Sequence, residues 1–129
     1  MGILVLLTML FLHIVDDYYL QGILAKLKQK SWWEENAPNK LYKHDYIIAL
    51  IEHAFSWTFM IMLPFTIMYV TEIKEFPYYA YIGLFVFNTF THSAIDNLKA
   101  NDKIINLTED QLFHILQIVI TWLALRYTK

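Results

Sequence analysis

The chain has 129 residues, 57% of them hydrophobic and 17% charged, with a formal net charge of −2. A soluble domain usually carries about a quarter charged residues. This composition, with a mean hydropathy of +0.37, therefore points to one membrane domain with no room for a separate soluble module. Cysteine is absent, which excludes disulfides, thiolate zinc sites and iron–sulfur clusters and leaves nitrogen and oxygen ligands for any metal. No basic tract interleaved with aromatics suggests nucleic acid.

Four apolar runs approach the roughly 20 residues that cross a hydrocarbon core: Ile3–Leu27, Tyr46–Val70, Pro77–Leu98 and Leu107–Leu125. They predict an all-α, four-helix transmembrane bundle. The first run is apolar on all sides before it turns polar, and His13, Asp17 and Gln21 then recur every four residues on one stripe. Asp16 lies about 100° away around a regular helix, so Asp17 is the predicted participant. The run continues unbroken into His13 and Asp17 and is read as a span, without a basic leader or small-residue cleavage site.

The following segment, from Lys26 to Lys40, mixes cations with Trp32 and Trp33 and reads as an interfacial anchor. Pro38 and Asn39 mark a turn. His44 lies outside the apolar runs and reads as solvated. The second run carries Glu52 and His53 side by side, and the third carries Asn88, His92 and Asp96 four apart, followed by Lys99. In the fourth, Asp110 and His114 are again four apart, with Gln111 between them; Thr108 is the predicted N-cap, with Gln111 three residues on.

Lysines Lys26, Lys28, Lys30, Lys40, Lys43, Lys99 and Lys103 fall on the side of the first and third loops, against Lys74, Arg126 and Lys129 on the other. The positive-inside rule then places both termini outside a cytoplasmic (inner) membrane, with several spans. Counting from the loops, Asp17 lies about 13 Å from the inner boundary, and His53 and His92 about 10 Å. Asp96, Asp110 and His114 share that slab, and His13 is deeper, at about 20 Å. Four separate spans thus deliver ionisable groups to one level.

Ionisable groups at membrane depth are costly and mark functional sites by default. The reading is that His13, Asp17, His53, His92, Asp96, Asp110 and His114 converge and hold one or two divalent metal ions. Zinc is the first expectation, with manganese or iron as alternatives. Gln21 and Gln111 are the expected hydrogen-bonding supports of the ligands. Glu52 is the expected general acid/base, and Lys99 reads as an interface anchor.

These motifs resemble the domain-of-unknown-function 3307 family, small membrane proteins of bacteria and phages. The family's first-helix pattern is matched by His13, Asp17, Leu20 and Gln21, and its mid-chain His by His53. Its His-x3-Asp-x2-Lys falls on His92, Asp96 and Lys99, and its Asp-Gln-x2-His on Asp110, Gln111 and His114. The doubled Asp16-Asp17 and the long Trp-rich first loop are less typical. The chain is also similar in style to inner-membrane proteins labelled metal-dependent hydrolases. The expected function is metal-assisted hydrolysis of an ester or phosphoester in a lipid or lipid-linked substrate. The alternatives are a cation or proton-coupled transporter, and a non-catalytic small membrane subunit with a structural polar cluster. Membrane lipids are the expected partners, with homo-oligomerisation to enclose enough volume. Only three glycines and no plainly broken span count against a carrier.

Overall fold

A computed structural model describes residues 2–128. Lys129, counted above on the outer side, lies outside the described residues. The described chain is helical, without strands. Helix α1 (Gly2–Ile14) runs directly into a π-helical segment (Val15–Leu20), followed by two short helices, α2 (Leu24–Leu27) and α3 (Lys30–Asn36). A 3-10 turn (Lys40–Tyr42) leads to α4 (Asp45–Val70), then α5 (Tyr78–Ala100) and α6 (Leu107–Tyr127). The four long helices close a ring in which α4 packs on α1 and α5, and α6 packs on α5 and α1.

The apolar pattern explains this arrangement. At the end of the bundle where α1 begins and α6 finishes, Met9, Trp57, Ile61, Met62, Phe65, Ile118 and Leu125 form a buried core that Phe76 closes from the α4–α5 connection. One or two turns further along each helix, the buried positions turn polar. Met9 gives way to His13, Ile61 to Trp57 and His53, and Ile118 to His114. The same helices face outward with exposed large apolar side chains, among them Leu7 and Phe11, Phe55 and Phe59, Val86 and Phe90, and Leu116 and Ile120. A polar interior inside an apolar exterior inverts the ordinary soluble pattern.

Two stretches, Gly2–Leu20 and Lys40–Val70, are long and apolar enough to cross a membrane. Helices α5 and α6 are long enough but less apolar, because the faces they turn inward carry Asn88, Thr89, His92 and Asp96, and Asp110, His114, Gln117 and Thr121.

The structure corrects two local expectations. The first run is not one helix to Leu27. Its backbone leaves the helix at Gln21, and Gly22 takes φ +51°, a conformation that costs a residue with a Cβ about 1–2 kcal/mol. The N-cap of α6 is Asn106 rather than Thr108. The Asn106 side chain accepts from the Glu109 amide at 3.1 Å, and the Glu109 carboxylate accepts from the Asn106 amide at 2.8 Å, a reciprocal capping box. That leaves Gln111 free to point into the bundle.

Candidate metal centre

Six of the seven predicted ligands meet in one buried cluster. From the π segment comes Asp17, from α4 His53, from α5 His92 and Asp96, and from α6 Asp110 and His114; none is more than 6% exposed. The i, i+4 spacing stacks both residues of each α5 and α6 pair on the inward stripe. Three overlapping groups among these residues can hold a metal ion: Asp17, His53 and His92; His92, Asp96 and His114; Asp17, Asp110 and His114.

The spacing of the ligand atoms is specific. His53 Nε2 lies 3.2 Å from Asp17 Oδ1, 3.3 Å from His92 Nε2 and 3.4 Å from Asp96 Oδ2. His114 Nε2 lies 3.4 Å from Asp96 Oδ1 and 3.3 Å from Asp110 Oδ1. Ligand atoms on a zinc ion with 2.0–2.1 Å bonds sit about 3.3 Å apart along a tetrahedral edge. Yet His114 Nε2, Asp96 Oδ1 and Asp110 Oδ1 have no hydrogen-bond partner. They approach one another without aiming at one another, and a buried polar atom in that condition calls for an explanation. A shared cation is a direct one.

The far side of each carboxylate is held. Asp96 Oδ2 accepts from the Lys28 ammonium at 2.6 Å. Asp110 Oδ2 accepts from Lys99 at 2.5 Å and from Gln111 Nε2 at 3.1 Å. Asp17 Oδ2 accepts from the same Gln111 amide at 3.0 Å. Every Oδ2 thus meets a donor, while every Oδ1 faces imidazole nitrogen.

One imidazole, that of His114, is held in the same manner. His114 Nδ1 faces Gln117 Oε1 at 3.4 Å, and the Gln117 amide is in turn held by the Asn88 side-chain and backbone oxygens at 3.3 Å. Asn88 donates to Thr121 Oγ1 at 2.7 Å. His53 Nδ1 faces Asp16 Oδ2 at 3.9 Å, and Asp16 Oδ1 accepts from Ser56 at 2.7 Å. At His114 the acceptor beside Nδ1 keeps the proton there and leaves the Nε2 lone pair for a metal, whereas His53 Nδ1 and His92 Nδ1 have no hydrogen-bond partner. Trp57 stacks on His92 with ring centroids 4.1 Å apart and planes 19° apart.

Three expectations change. His13 is buried beside the cluster but belongs to none of the three groups, because both its nitrogens are engaged. Trp57 Nε1 donates to its Nδ1 at 2.7 Å, and its Nε2 meets Gln111 Oε1 at 3.1 Å. Indole N–H can only donate, so His13 is neutral with its proton on Nε2. It steers Gln111 rather than a metal. Glu52 is exposed on the outer face of α4, since the neighbour of an inward residue is turned about 100° away; it takes no part in the cluster. Gln21 donates only to the backbone oxygen of Asp17 and leaves the ligand carboxylate itself alone.

The reverse also holds: residues passed over in the sequence belong here. Asp16 is fully buried together with Asp17. A regular helix would part them, but the π segment, with Gln21 N bonded to Asp16 O at 3.1 Å in the i→i+5 manner, widens the turn so that both face inward. The only sequence signal was the doubled Asp. Lys28, read as an interfacial anchor, is buried and paired with Asp96; only the break at Gly22 brings it there. Lys99, given the same reading, is tied to Asp110. Trp57 and Gln117 stand four and three residues past a cluster His, the helical spacing that could have found them.

Fold and site together define an all-helical bundle that buries a His/Asp cluster suited to a metal ion. A family model described as protein of unknown function (DUF3307) matches residues 5–129, essentially the whole chain, and the chain belongs to that family. Comparison with curated proteins and with solved structures finds no match.

Proposed function

We propose that this is a multi-pass protein of a cytoplasmic membrane that holds a divalent metal ion between its spans. We propose further that it uses the ion to hydrolyse an ester or phosphoester bond in a lipid or lipid-linked substrate. The observation that carries the reading is the convergence of His53, His92 and His114 Nε2 with the Oδ1 atoms of Asp17, Asp96 and Asp110, while the Oδ2 atoms of the three aspartates accept from Lys28, Lys99 and Gln111. Zinc suits an all-nitrogen-and-oxygen set of this spacing, with manganese or iron next. The apolar exterior of all four long helices supports four spans, with both termini outside by the lysine asymmetry.

Formal charge bears on how many ions are held. The buried aspartates Asp16, Asp17, Asp96 and Asp110 face only two buried or half-buried lysines, Lys28 and Lys99. The formal count of four aspartates against two lysines leaves two negative charges, which matches one divalent cation when the histidines coordinate as neutral ligands.

A bound metal ion would supply a hydroxide at neutral pH by lowering the pKa of its water. Six side chains exceed a four-ligand shell, so a carboxylate of the cluster left uncoordinated would be the group to take a proton there; Glu52, exposed on the outer face of α4, is not placed for it. The test is turnover in vesicles: purified protein with headgroup-labelled phospholipids, assayed for released headgroup before and after chelation and metal return. Metal-restored release that is lost in His92→Ala supports the enzyme.

One observation favours a second reading. The first span is interrupted at Gln21-Gly22, beside the cluster, and interrupted helices next to buried ion sites are a feature of carriers. Metal flux into vesicles without lipid turnover would select that reading.

A further inference from the structure

The Trp-rich first loop gives the metal centre only Lys28, and its remainder lines a cavity of its own. We propose that this cavity is a binding site for the headgroup of an anionic phospholipid of the cytoplasmic leaflet. The inference rests on the membrane placement above, not on the hydrolase.

The cavity, about 430 Å³, lies between α3, the 3-10 turn and the start of α4, and Lys30, Lys40, Lys43, Trp33, Glu34 and Tyr46 are among its lining residues. Local structure sets the cations on one wall. Asn39 caps the 3-10 turn by accepting from the Leu41 amide at 2.9 Å. In a 3-10 turn, residues three apart eclipse, so Lys40 and Lys43 project together. Among the described residues neither has a carboxylate within 4.0 Å. Lys30 lies over the Tyr46 ring at 5.0 Å and reaches Asp102 only at 3.8 Å. Lys40 and Lys43 are thus left without a carboxylate partner, Lys30 shares its charge with Asp102, and the lining holds one carboxylate, that of Glu34.

The cavity is also fixed in place. Trp33 Nε1 donates to Leu27 O at 2.7 Å, and its ring stacks on Tyr42 at 6.3 Å. Asn101, at the end of α5, accepts from the Lys30 amide at 2.8 Å and donates to Lys28 O at 3.0 Å. The loop is thereby held against the bundle at the lysine-rich end, where Trp and Tyr sit at headgroup level. Below the cavity α4 continues with exposed Ile47 and Ile48, an apolar track for the acyl chains of a lipid whose phosphate meets the lysines. Basic pockets at this level are suited to anionic headgroups. The apolar track favours a lipid over free phosphate.

The full-length protein would be placed in nanodiscs of phosphatidylcholine and phosphatidylglycerol, and its retained lipid identified by native mass spectrometry. Alkaline carbonate extraction would report membrane insertion separately. The expected result is selective retention of phosphatidylglycerol. The preference should fall about thirtyfold in Lys40→Gln/Lys43→Gln and persist in Lys40→Arg/Lys43→Arg. Equal retention of the two lipids by an inserted protein would overturn the site alone. Displacement of phosphatidylglycerol by millimolar inorganic phosphate would overturn the lipid assignment in favour of free phosphate. A carbonate-extractable protein would overturn the membrane reading and this site with it.

Discussion

Replacing Gln111 by Leu removes a side chain that hydrogen-bonds two candidate ligands at once. Its amide donates to Asp17 Oδ2 at 3.0 Å and Asp110 Oδ2 at 3.1 Å, and its oxygen meets His13 Nε2 at 3.1 Å. Leucine keeps the volume and supplies none of these contacts. Loss of a hydrogen-bonding partner behind metal ligands typically weakens metal affinity 10- to 100-fold, or about 1.4–2.8 kcal/mol. Because Asp17 and Asp110 are both released, the upper half of that range is expected. Asp110 keeps Lys99 at 2.5 Å, so the loss should not exceed it. The assay is zinc competition against a fluorescent chelator with protein in detergent micelles, beside thermal unfolding without metal. The comparison variant is Gln21→Ala, which gives up only a bond to the Asp17 backbone and should shift affinity by less than about threefold, below the range for support of a ligand. Unchanged affinity in Gln111→Leu, or an equal loss in Gln21→Ala, would show that Gln111 does not support the ligands.

Asp16→Asn should weaken metal binding by up to about tenfold, because it removes a buried negative charge 3.9 Å from His53 Nδ1; the same competition assay measures it. Lys28→Met leaves Asp96 Oδ2 without its buried partner, a change that typically costs about 3–5 kcal/mol. Added metal should restore more thermal stability to this variant than to the wild type, as unfolding with and without zinc would show. Glu52→Gln should leave metal affinity unaltered, since the side chain is exposed away from the cluster; a tenfold change would return Glu52 to the site. Metal affinity should also fall as pH drops, because ligands must be deprotonated to bind; the same competition assay run across pH measures it.

The helical spacing of His92 with Asp96 and of Asp110 with His114, repeated at one depth, was enough to read the helices and the pairs from sequence, because a regular helix converts a four-residue interval into a shared face. The backbone departs from a regular helix at the π segment and again at Gly22. The π segment turns Asp16 inward with Asp17, against the 100° rule that favoured one over the other. The break at Gly22 brings Lys28 back to Asp96, a contact between residues 68 apart that no local pattern encodes. His13 shows a different limit. Its position on the stripe was right, but whether an inward imidazole coordinates or supports depends on its neighbours, here Trp57 and Gln111. Glu52 was assigned by adjacency to His53, and adjacency in a helix means separation in angle.

The most direct measurement is elemental analysis of the protein purified under metal-replete conditions, with thorough dialysis, beside His92→Ala and Asp110→Ala. About one divalent ion per chain in the wild type, with clear loss in both variants, is the result expected from the balance of two negative charges. A wild-type protein that is folded yet holds no stoichiometric metal, or variants that hold as much as it does, would contradict the account.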